Sequence, residues 1–304
     1  MSEIIVGADG STRCEDAIAF ARRLGAATGA PVTLAGVAPY ADWPSRTASN
    51  EYRDYLHDAT GAMLERIRER MDGGDVALRV IAGTSPARAL HGLAESGGAG
   101  LIVIGSTHRG RVGRVMPGST ADRLLDGAPC PVAIVPRDHR PRGDAPISVI
   151  GVGYDGSDES RAAVRAALKL AQRFGARLRV IRVFDATQIG TPALMAGPGY
   201  VPVIRDLETL AREDLERLVA ELPGSVPAEA VFLSGSPSRE LATQSEGVDL
   251  LLLGSRGYGP VRAVLLGGVS HVVVRQAACP VIVLPRGTRD GIDALLAPAA
   301  EATA

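Results

Sequence analysis

The sequence predicts an α/β protein built from two tandem doubly wound domains, Rossmann-like in plan. In each domain we expect an open five-stranded parallel sheet with strand order 3-2-1-4-5 and helices on both faces. Three observations carry this prediction. The chain contains two similar copies of one sequence, with a period of about 149 residues. Within each copy, short apolar runs alternate with amphipathic ones. Both copies end in a similar segment, APCPVAIVPR at 128–137 and AACPVIVLPR at 277–286. A period this long is too great for a solenoid and indicates two homologous domains.

The hydrophobic pattern of the first copy gives the order of its elements. Five continuous apolar runs predict strands buried on both faces, as is typical of parallel sheets, at 4–8, 32–37, 76–81, 101–104 and 132–135. Between them, the helical spacing of apolar residues predicts helices over Asp16–Ala27 and Glu51–Met71. Right-handed crossovers between such strands give the doubly wound arrangement. The second copy follows the same plan, with strands near 148–153, 178–184, 229–234, 249–253 and 281–284.

The domain boundaries follow from the two copies and from the composition between them. The segment DHRPRGDAP, at 138–146, is rich in charge and proline, as interdomain linkers are. We therefore assign residues 1–137 to the first domain, 147–286 to the second domain and 287–304 to a C-terminal tail.

Composition excludes several classes of function. A net charge of −1 provides no basic field for nucleic acid or for a membrane surface, and no apolar stretch approaches the ~18 residues that span a bilayer. The opening MSEIIVGADGS lacks the basic and apolar segments of a signal peptide, so we expect a cytoplasmic protein.

The three cysteines form no disulfide framework; Cys130 and Cys279, equivalent in the two copies, are expected to fill the starts of buried strands. The histidines show no metal-ligand spacing.

The topology of such a sheet fixes the edge at which a ligand would bind. Ligands of doubly wound sheets lie beyond the carboxyl ends of the strands, where the winding direction switches. Two loops of each domain meet there: the loop after strand one, which holds Asp9 or Asp155, and the glycine-rich loop after strand four. Glycine lets backbone N–H groups approach phosphate, and a helix N-terminus adds a favourable dipole. The pattern therefore indicates a mononucleotide site in each domain.

The standard phosphate-binding fingerprints do not fit this chain. The GxxxxGK[ST] pattern of P-loop NTPases occurs nowhere. GxGxxG occurs once, at 151–156, but its first glycine falls within a predicted strand, and Asp185 follows Gly156 by 29 positions rather than about 20. We therefore discount a dinucleotide site.

The glycine-rich stretch of the second copy resembles the universal stress protein family in its tandem two-domain form. Members of that family that bind ATP carry G-x2-G-x9-G-[S/T] after the fourth strand. The second copy has Gly254, Gly257 and Gly267 at both spacings, then Gly268 in place of Ser or Thr, with Ser270 close behind. The resemblance covers roughly residues 1–286 and includes the opening V-G-x-D-G-S of both copies.

The first copy also matches the family motif, but it differs from the motif at another position. Gly105, Gly118 and Ser119 stand at the expected spacings, but His108 replaces the second glycine. His108 adds bulk where the backbone would approach the ligand, or it donates a hydrogen bond to a phosphate, aided by Arg109. Because each copy departs from the pattern at a different point, we expect two sites of unequal affinity, the second slightly more intact.

The resemblance implies a role for each matched position. Asp9 and Asp155 would face the adenosine part of ATP, and the main chain of Val37 and Val183 would meet the adenine edge. The positions after strand four would hold the phosphates, with Mg²⁺ accompanying the triphosphate. The full set of expected binding residues is Gly7, Asp9, Val37, Gly105, His108, Arg109, Gly118, Ser119, Thr120, Gly153, Asp155, Val183, Gly254, Gly257, Gly267, Gly268, Val269 and Ser270.

The aspartates after strand one also have a purely structural interpretation. Asp9 and Asp155 precede Gly-Ser, so each is placed to cap the following helix or to shape a turn. Ser11 and Ser157 are equally placed to provide the cap. Both interpretations stay open at the level of the sequence.

The resemblance further implies function and assembly. It implies an ATP-binding regulator of stress response or growth, not an enzyme, acting on a protein partner that the sequence does not identify. The closing strands would pair within the chain as an internal pseudo-dimer, and a homodimer of whole chains is also open. The alternatives are a slow ATPase, for which His108 is the candidate base, and a scaffold that binds AMP or no nucleotide.

Overall fold

The computed structural model describes residues 2–40, 50–71, 76–106, 118–139, 145–188, 200–255 and 268–285, together with Ile292 and Leu295. These residues form strands β1–β10, which are Ile4–Ala8, Val32–Ala38, Val76–Ala82, Leu101–Gly105, Val132–Val135, Val149–Gly153, Arg177–Phe184, Ala228–Ser234, Leu250–Gly254 and Val281–Leu284. The helices α1–α8 are Thr12–Thr28, Asn50–Arg70, Pro86–Gly97, Ser119–Leu125, Asp158–Phe174, Tyr200–Ala220, Pro237–Gln244 and Gly268–Gln276. Elements therefore alternate as the apolar pattern predicts.

The element bounds lie close to those expected from the sequence. β1, β5 and β10 have the predicted bounds; β9 is shifted by one residue at both ends, and each of the other strands differs from prediction by one residue at one end. The larger difference is at α1, which begins at Thr12 rather than Asp16. Its first turn is polar, so apolar spacing does not reveal it; Ser11 is the N-cap, and Gly29 ends the helix in the left-handed conformation with φ 76°.

The strand order is β3-β2-β1-β4-β5-β10-β9-β6-β7-β8, which confirms the order 3-2-1-4-5 within each repeat. Within a repeat, every described pairing is parallel. β5 and β10 pair antiparallel, with Ile134 opposite Val281 and Val132 opposite Val283. The two closing strands thus satisfy each other's backbone groups instead of leaving open edges, and ten strands form one continuous sheet.

Successive side chains of each central strand enter different cores on the two faces of the sheet. Along β1, Ile4 and Val6 pack with α1 and α2, whereas Ile5 packs with α3 and α4. All three side chains are fully buried. The strands read as continuous apolar runs because helices cover both faces.

Three smaller features complete the fold. Cys130 and Cys279 are buried just before β5 and β10, and burial raises the pKa of the Cys130 thiol to about 12. In the tail, Ile292 and Leu295 are buried, and Leu295 occupies the space that a side chain at Gly100 would need. No helix in the described part of the chain is both long enough and apolar enough to cross a membrane.

Candidate functional site

The first domain has a cavity of about 530 Å³ at the carboxyl ends of β1, β2 and β4. This volume lies within the ~300–1,000 Å³ typical of small-ligand sites. The loop after β1, the end of β2 and the start of α4 all line it, as the topology predicts. The expected binding residues that it brings together are Gly7, Asp9, Val37, Gly105, Gly118, Ser119 and Thr120.

The second domain has an equivalent cavity of about 600 Å³ at the carboxyl ends of β6, β7 and β9. Here the start of α8 takes the place that the start of α4 has in the first cavity. The expected binding residues in its lining are Gly153, Asp155, Val183, Gly254, Gly268, Val269 and Ser270. The remaining four expected residues, His108, Arg109, Gly257 and Gly267, lie outside the described residues.

The aspartate after the first strand of each domain shapes a tight turn. Asp9 Oδ1 accepts a hydrogen bond from the Ser11 backbone N–H at 3.0 Å, and Asp155 Oδ1 accepts one from the Ser157 N–H at 2.9 Å. The hydroxyl of each serine also donates to its aspartate. The structural interpretation of these aspartates is therefore confirmed, and it coexists with their place in the cavity walls. Each carboxylate is held in position before any ligand arrives.

The helix caps of the two domains differ. Ser157 Oγ accepts a hydrogen bond from the Ser160 N–H at 3.2 Å and so caps α5 through its side chain. Ser11 is the N-cap of α1 without a side-chain cap bond. In place of Ser160, the first domain has Cys14, whose thiol donates to the Ser11 carbonyl at 2.8 Å and which lines the first cavity. Burial, followed by the nearby Asp9 and Glu15 carboxylates, raises the Cys14 pKa to about 11, so this thiol stays protonated at neutral pH.

Two glycines that line the second cavity differ in how closely other residues approach them. A Cβ atom at Gly254 would lie 2.7 Å from the Glu159 carbonyl oxygen, so this glycine lets the first turn of α5 approach the end of β9. A Cβ atom at Gly268 would meet none of the described residues within 4 Å. Among these residues, nothing occupies the space beside position 268, where the family motif carries a hydroxyl. Nearby, Ser270 Oγ donates to the Gly254 carbonyl at 3.1 Å and ties the start of α8 to the end of β9.

Sequence reasoning missed a polar cluster beside the second cavity, formed by Tyr154, Arg161, Arg182 and Asp214. Tyr154 Oη donates to Asp214 Oδ2 at 2.9 Å, Arg182 Nη1 donates to the same oxygen, and Arg161 Nη2 lies 3.6 Å from Asp214 Oδ1. Both guanidinium groups also lie near the Tyr154 ring, at 5.4 Å and 5.3 Å from its centroid. We call these four residues the Asp214 cluster.

The Asp214 cluster shifts the ionisation of two of its members. Burial acts to raise the pKa of Asp214, but the hydrogen bonds from Tyr154 and Arg182 and the charges of Arg182 and Arg161 outweigh it, so the pKa lies below its ordinary value. Burial and the bond to Asp214 raise the pKa of Tyr154. Asp214 is therefore ionised and Tyr154 neutral at physiological pH. The available sequence signal was Arg182, which interrupts an apolar strand where the first copy has Gly36.

Fold and cavities together define a class of protein: a two-domain, doubly wound α/β protein with one small-ligand cavity at the carboxyl edge of each domain's strands. The sequence model of the universal stress protein family matches this chain twice, over residues 1–136 and 146–285. The chain therefore belongs to the universal stress protein family, as a tandem two-domain member.

Individual relatives agree with this assignment. A universal stress protein of Mycobacterium tuberculosis is 28% identical over 286 residues, which cover 92% of this chain and 96% of the relative. A second one from the same species is 31% identical over 254 residues, covering 80% and 86%. The crystal structure of a universal stress protein from Archaeoglobus fulgidus has a TM-score of 0.68 at 22% identity, covering 94% of this chain and 100% of that chain. At that identity the structure supports the fold alone.

Proposed function

We propose that this protein binds ATP, one molecule in each domain, and acts as a nucleotide-dependent regulator of stress response or growth. The observation that carries the proposal is that two equivalent cavities each gather the same set of groups: an ordered aspartate, the end of the second strand, and the start of the helix after the glycine-rich stretch.

The residues present fit the parts of an adenine nucleotide. Val37 and Val183 place backbone donors and acceptors at the end of the second strand, where the adenine edge would lie. Asp9 and Asp155 have carboxylate oxygens that can accept from ribose hydroxyls. At the other end of each cavity, backbone N–H groups and the hydroxyls of Ser119 and Thr120 in the first domain, or of Ser270 in the second, would meet the phosphates.

A divalent cation would offset the charge of the triphosphate. Mg²⁺ prefers oxygen ligands and commonly binds through phosphates with few protein groups. Ser119 and Thr120 in the first domain, and Ser270 in the second, supply hydroxyl oxygens in the cavity lining. We therefore assign the cation to the phosphate end of each cavity.

Binding rather than chemistry is the role that the described lining supports. Among the described lining residues, the aspartate is the titratable group that both cavities share, and serine N–H and O–H groups already engage it. The Cys14 thiol has a pKa of about 11 and is not a nucleophile at neutral pH. His108, the candidate base for hydrolysis, lies outside the described residues.

Direct measurement on the purified full-length chain tests the proposal. Nucleotide released on denaturation is identified by mass spectrometry, and ATP and AMP are titrated calorimetrically with and without magnesium. We expect two ATP sites per chain, with affinity increased by magnesium. Asp9→Ala and Asp155→Ala should each weaken one site and spare the other.

Several outcomes would contradict the proposal. Absence of adenine nucleotide in both tests would overturn it, and tighter binding of AMP than of ATP would favour the scaffold alternative. Rapid magnesium-dependent phosphate release that His108→Ala abolishes would favour the enzyme.

A further inference from the structure

We propose that a notch at the amino ends of β1 and β4, beside Gly100, is a docking site for the chain's own C-terminal tail. Ile292 and Leu295 are the tail residues that dock, and their docking fastens the second repeat to the first. The inference concerns the protein without ligand and does not depend on the proposed function.

The two described residues of the tail are buried as deeply as residues of the core. Ile292 is 1% exposed and Leu295 is 3% exposed. Both belong to the apolar cluster on the face of the sheet that α1 covers, together with Ile4 and Leu101, the first residues of β1 and β4. The Leu295 N–H donates to the Ile292 carbonyl at 3.0 Å, so the two residues belong to one turn. Chain termini are poorly ordered unless they are tied down, and this apolar contact ties the tail down.

Gly100 makes the room that Leu295 occupies. A Cβ atom at position 100 would lie 2.6 Å from Leu295 Cγ and 2.7 Å from its Cδ2. It would also lie 3.1 Å from the Cβ atom of Ser2, just before β1. Close-packed interiors do not accommodate contacts as short as the first two. The notch therefore accepts Leu295 because position 100 carries no side chain.

The equivalent position of the second repeat is filled by a carboxylate. Gly100 aligns with Asp249, since each immediately precedes the apolar run of the fourth strand. Asp249 Oδ2 accepts hydrogen bonds from the Ser148 N–H at 2.8 Å and the Val149 N–H at 3.0 Å. Packing an aliphatic side chain against this charge would remove water from it at a cost in free energy. The tail therefore fits the first repeat and not the second.

The tail leaves the sheet at the edge where the notch lies. β10 runs antiparallel to β5, and Val283 lies opposite Val132 at the start of β5. On the other side of β5, Val132 lies next to Ile102, near the start of β4. Neighbouring strands are about 4.8 Å apart, so the end of β10 lies about 10 Å from the start of β4. The first cavity lies at the carboxyl ends of β1 and β4, whereas the tail docks at their amino ends.

Docking gives the two repeats a connection in addition to the β5–β10 pairing. It brings Leu295, close to the end of the chain, against Ser2 at its beginning. Because the contact involves the starts of β1 and β4, we expect release of the tail to loosen these strand ends first. We also expect a change in the notch to loosen the tail, although the two lie far apart in the sequence.

Amide hydrogen exchange of the full-length protein, followed by NMR, tests the docking from both sides. Leu295→Ala should raise the exchange rate of the Gly100 amide, which donates to the Glu3 carbonyl at 3.0 Å, at least about fivefold. Gly100→Ala should raise the exchange rate of the Leu295 amide by a similar factor. Gly127→Ala is the matched control, because a Cβ atom there meets none of the described residues within 4 Å, and it should change neither rate.

The double variant Gly100→Ala/Leu295→Ala distinguishes one shared contact from two unrelated defects. Its readout is the Ile4 amide, which donates to the Pro31 carbonyl at 2.9 Å at the start of β1. If both residues act through the docked tail, the exchange rate in the double variant should match that of the more affected single variant within about twofold. Multiplication of the two single effects would contradict a shared contact.

Exchanging the residues of the two repeats tests the selectivity of the notch. Gly100→Asp, which copies the second repeat, should raise the exchange rate of the Leu295 amide at least as much as Gly100→Ala does. Asp249→Gly, the reverse change, should leave that rate unaltered. Release of the tail from the first repeat by Asp249→Gly would contradict the assignment of the notch to the first repeat.

Two further outcomes would overturn the proposal. The first is unchanged exchange at Gly100 in Leu295→Ala together with unchanged exchange at Leu295 in Gly100→Ala. The second is protection of the Leu295 amide that increases with protein concentration, which would place the tail on a second copy of the chain. All these measurements are made without nucleotide, so their outcome is independent of the test of the proposed function.

Discussion

The two repeats meet along the β5–β10 pairing, here called the seam. Across this seam, Arg275 Nη2 donates a hydrogen bond to Asp122 Oδ2 at 3.0 Å. Arg275 lies in the last turn of α8, and Asp122 lies in the first turn of α4. His271 Nε2 accepts from Arg275 Nε at 3.2 Å and lies 3.7 Å from Asp122 Oδ1. The ionic contact therefore adds a side-chain link to the backbone pairing of β5 with β10.

Removing this link should weaken the association of the two halves. Asp122→Asn and Arg275→Met are each expected to lower the free energy of unfolding by about 1 kcal/mol, since both side chains are partly exposed. A double-mutant cycle by urea unfolding should give a coupling energy of about 0.5–1 kcal/mol. As a control, the Glu65–Arg68 pair within α2 lies away from the seam, and its removal should change stability by less than about 0.5 kcal/mol. A coupling energy near zero would show that the contact does not stabilise the seam.

Adding a methyl group at Gly254 should destabilise the second domain. The new Cβ would lie 2.7 Å from the Glu159 carbonyl oxygen, which belongs to the backbone of α5 and has no rotamer to change. We expect Gly254→Ala to lower the free energy of unfolding by about 1–3 kcal/mol, as overpacking does. Gly268→Ala is the matched control, because the same methyl group there meets none of the described residues within 4 Å. Equal stability of the two variants in urea unfolding would contradict the packing argument.

Restoring the motif hydroxyl at position 268 should strengthen nucleotide binding by the second cavity. Gly268→Ser places an oxygen at the start of α8, on the wall of the cavity, where the new Cβ atom meets none of the described residues within 4 Å. One added hydrogen bond of about 0.5–1.5 kcal/mol corresponds to a gain in ATP affinity of about two- to tenfold. Calorimetric titration measures this gain, and Gly268→Ala separates the hydroxyl from the removal of glycine. A gain of the same size in the alanine variant would assign the effect to the helix rather than to the hydroxyl.

The buried thiols should make the fold sensitive to alkaline pH. The pKa values of Cys14 and Cys130 are raised to about 11 and about 12, whereas unfolding returns both thiols to about 8.5. Between those values the folded protein holds more protons than the unfolded chain, so stability falls as pH rises. The contribution is fully present below about pH 8.5 and is lost progressively toward pH 12.

The thiol contribution is measured as a difference between variants, because tyrosine and lysine titrate in the same range. The decline of the unfolding free energy above pH 9 should be shallower in Cys130→Ala than in the parent protein. Cys279, buried at the equivalent place in the second repeat, provides a comparison variant. Parallel pH profiles of parent and Cys130→Ala would rule out a contribution from this thiol.

Repetition explains why so much of the fold was predictable from the sequence. Each strand was indicated twice at equivalent positions, and continuous apolar runs are specific for strands covered on both faces. The places of Asp9 and Asp155 followed from the same alignment, since both stand where the first strand ends. Local pattern was sufficient for these features because they depend on residues close together in the chain.

The Asp214 cluster depends instead on contacts between distant segments. Tyr154 and Asp214 are 60 positions apart, and an acidic residue on a long amphipathic helix is usually solvated. Comparison of the two repeats does not reveal contacts that occur in one repeat only, because it draws attention to positions where the two copies agree. The cluster lies where they disagree, at Ala8 against Tyr154 and Gly36 against Arg182.

The antiparallel pairing of β5 with β10 determines the directions in which the two cavities open. Strands of the first repeat run one way through the continuous sheet, and strands of the second repeat run the other way. Each cavity lies at the carboxyl ends of its own strands, so one is lined where the strands of the first repeat end and the other where the oppositely directed strands of the second repeat end. Among the described residues, none lines both cavities. The continuous sheet therefore carries two separate entrances rather than one shared cleft.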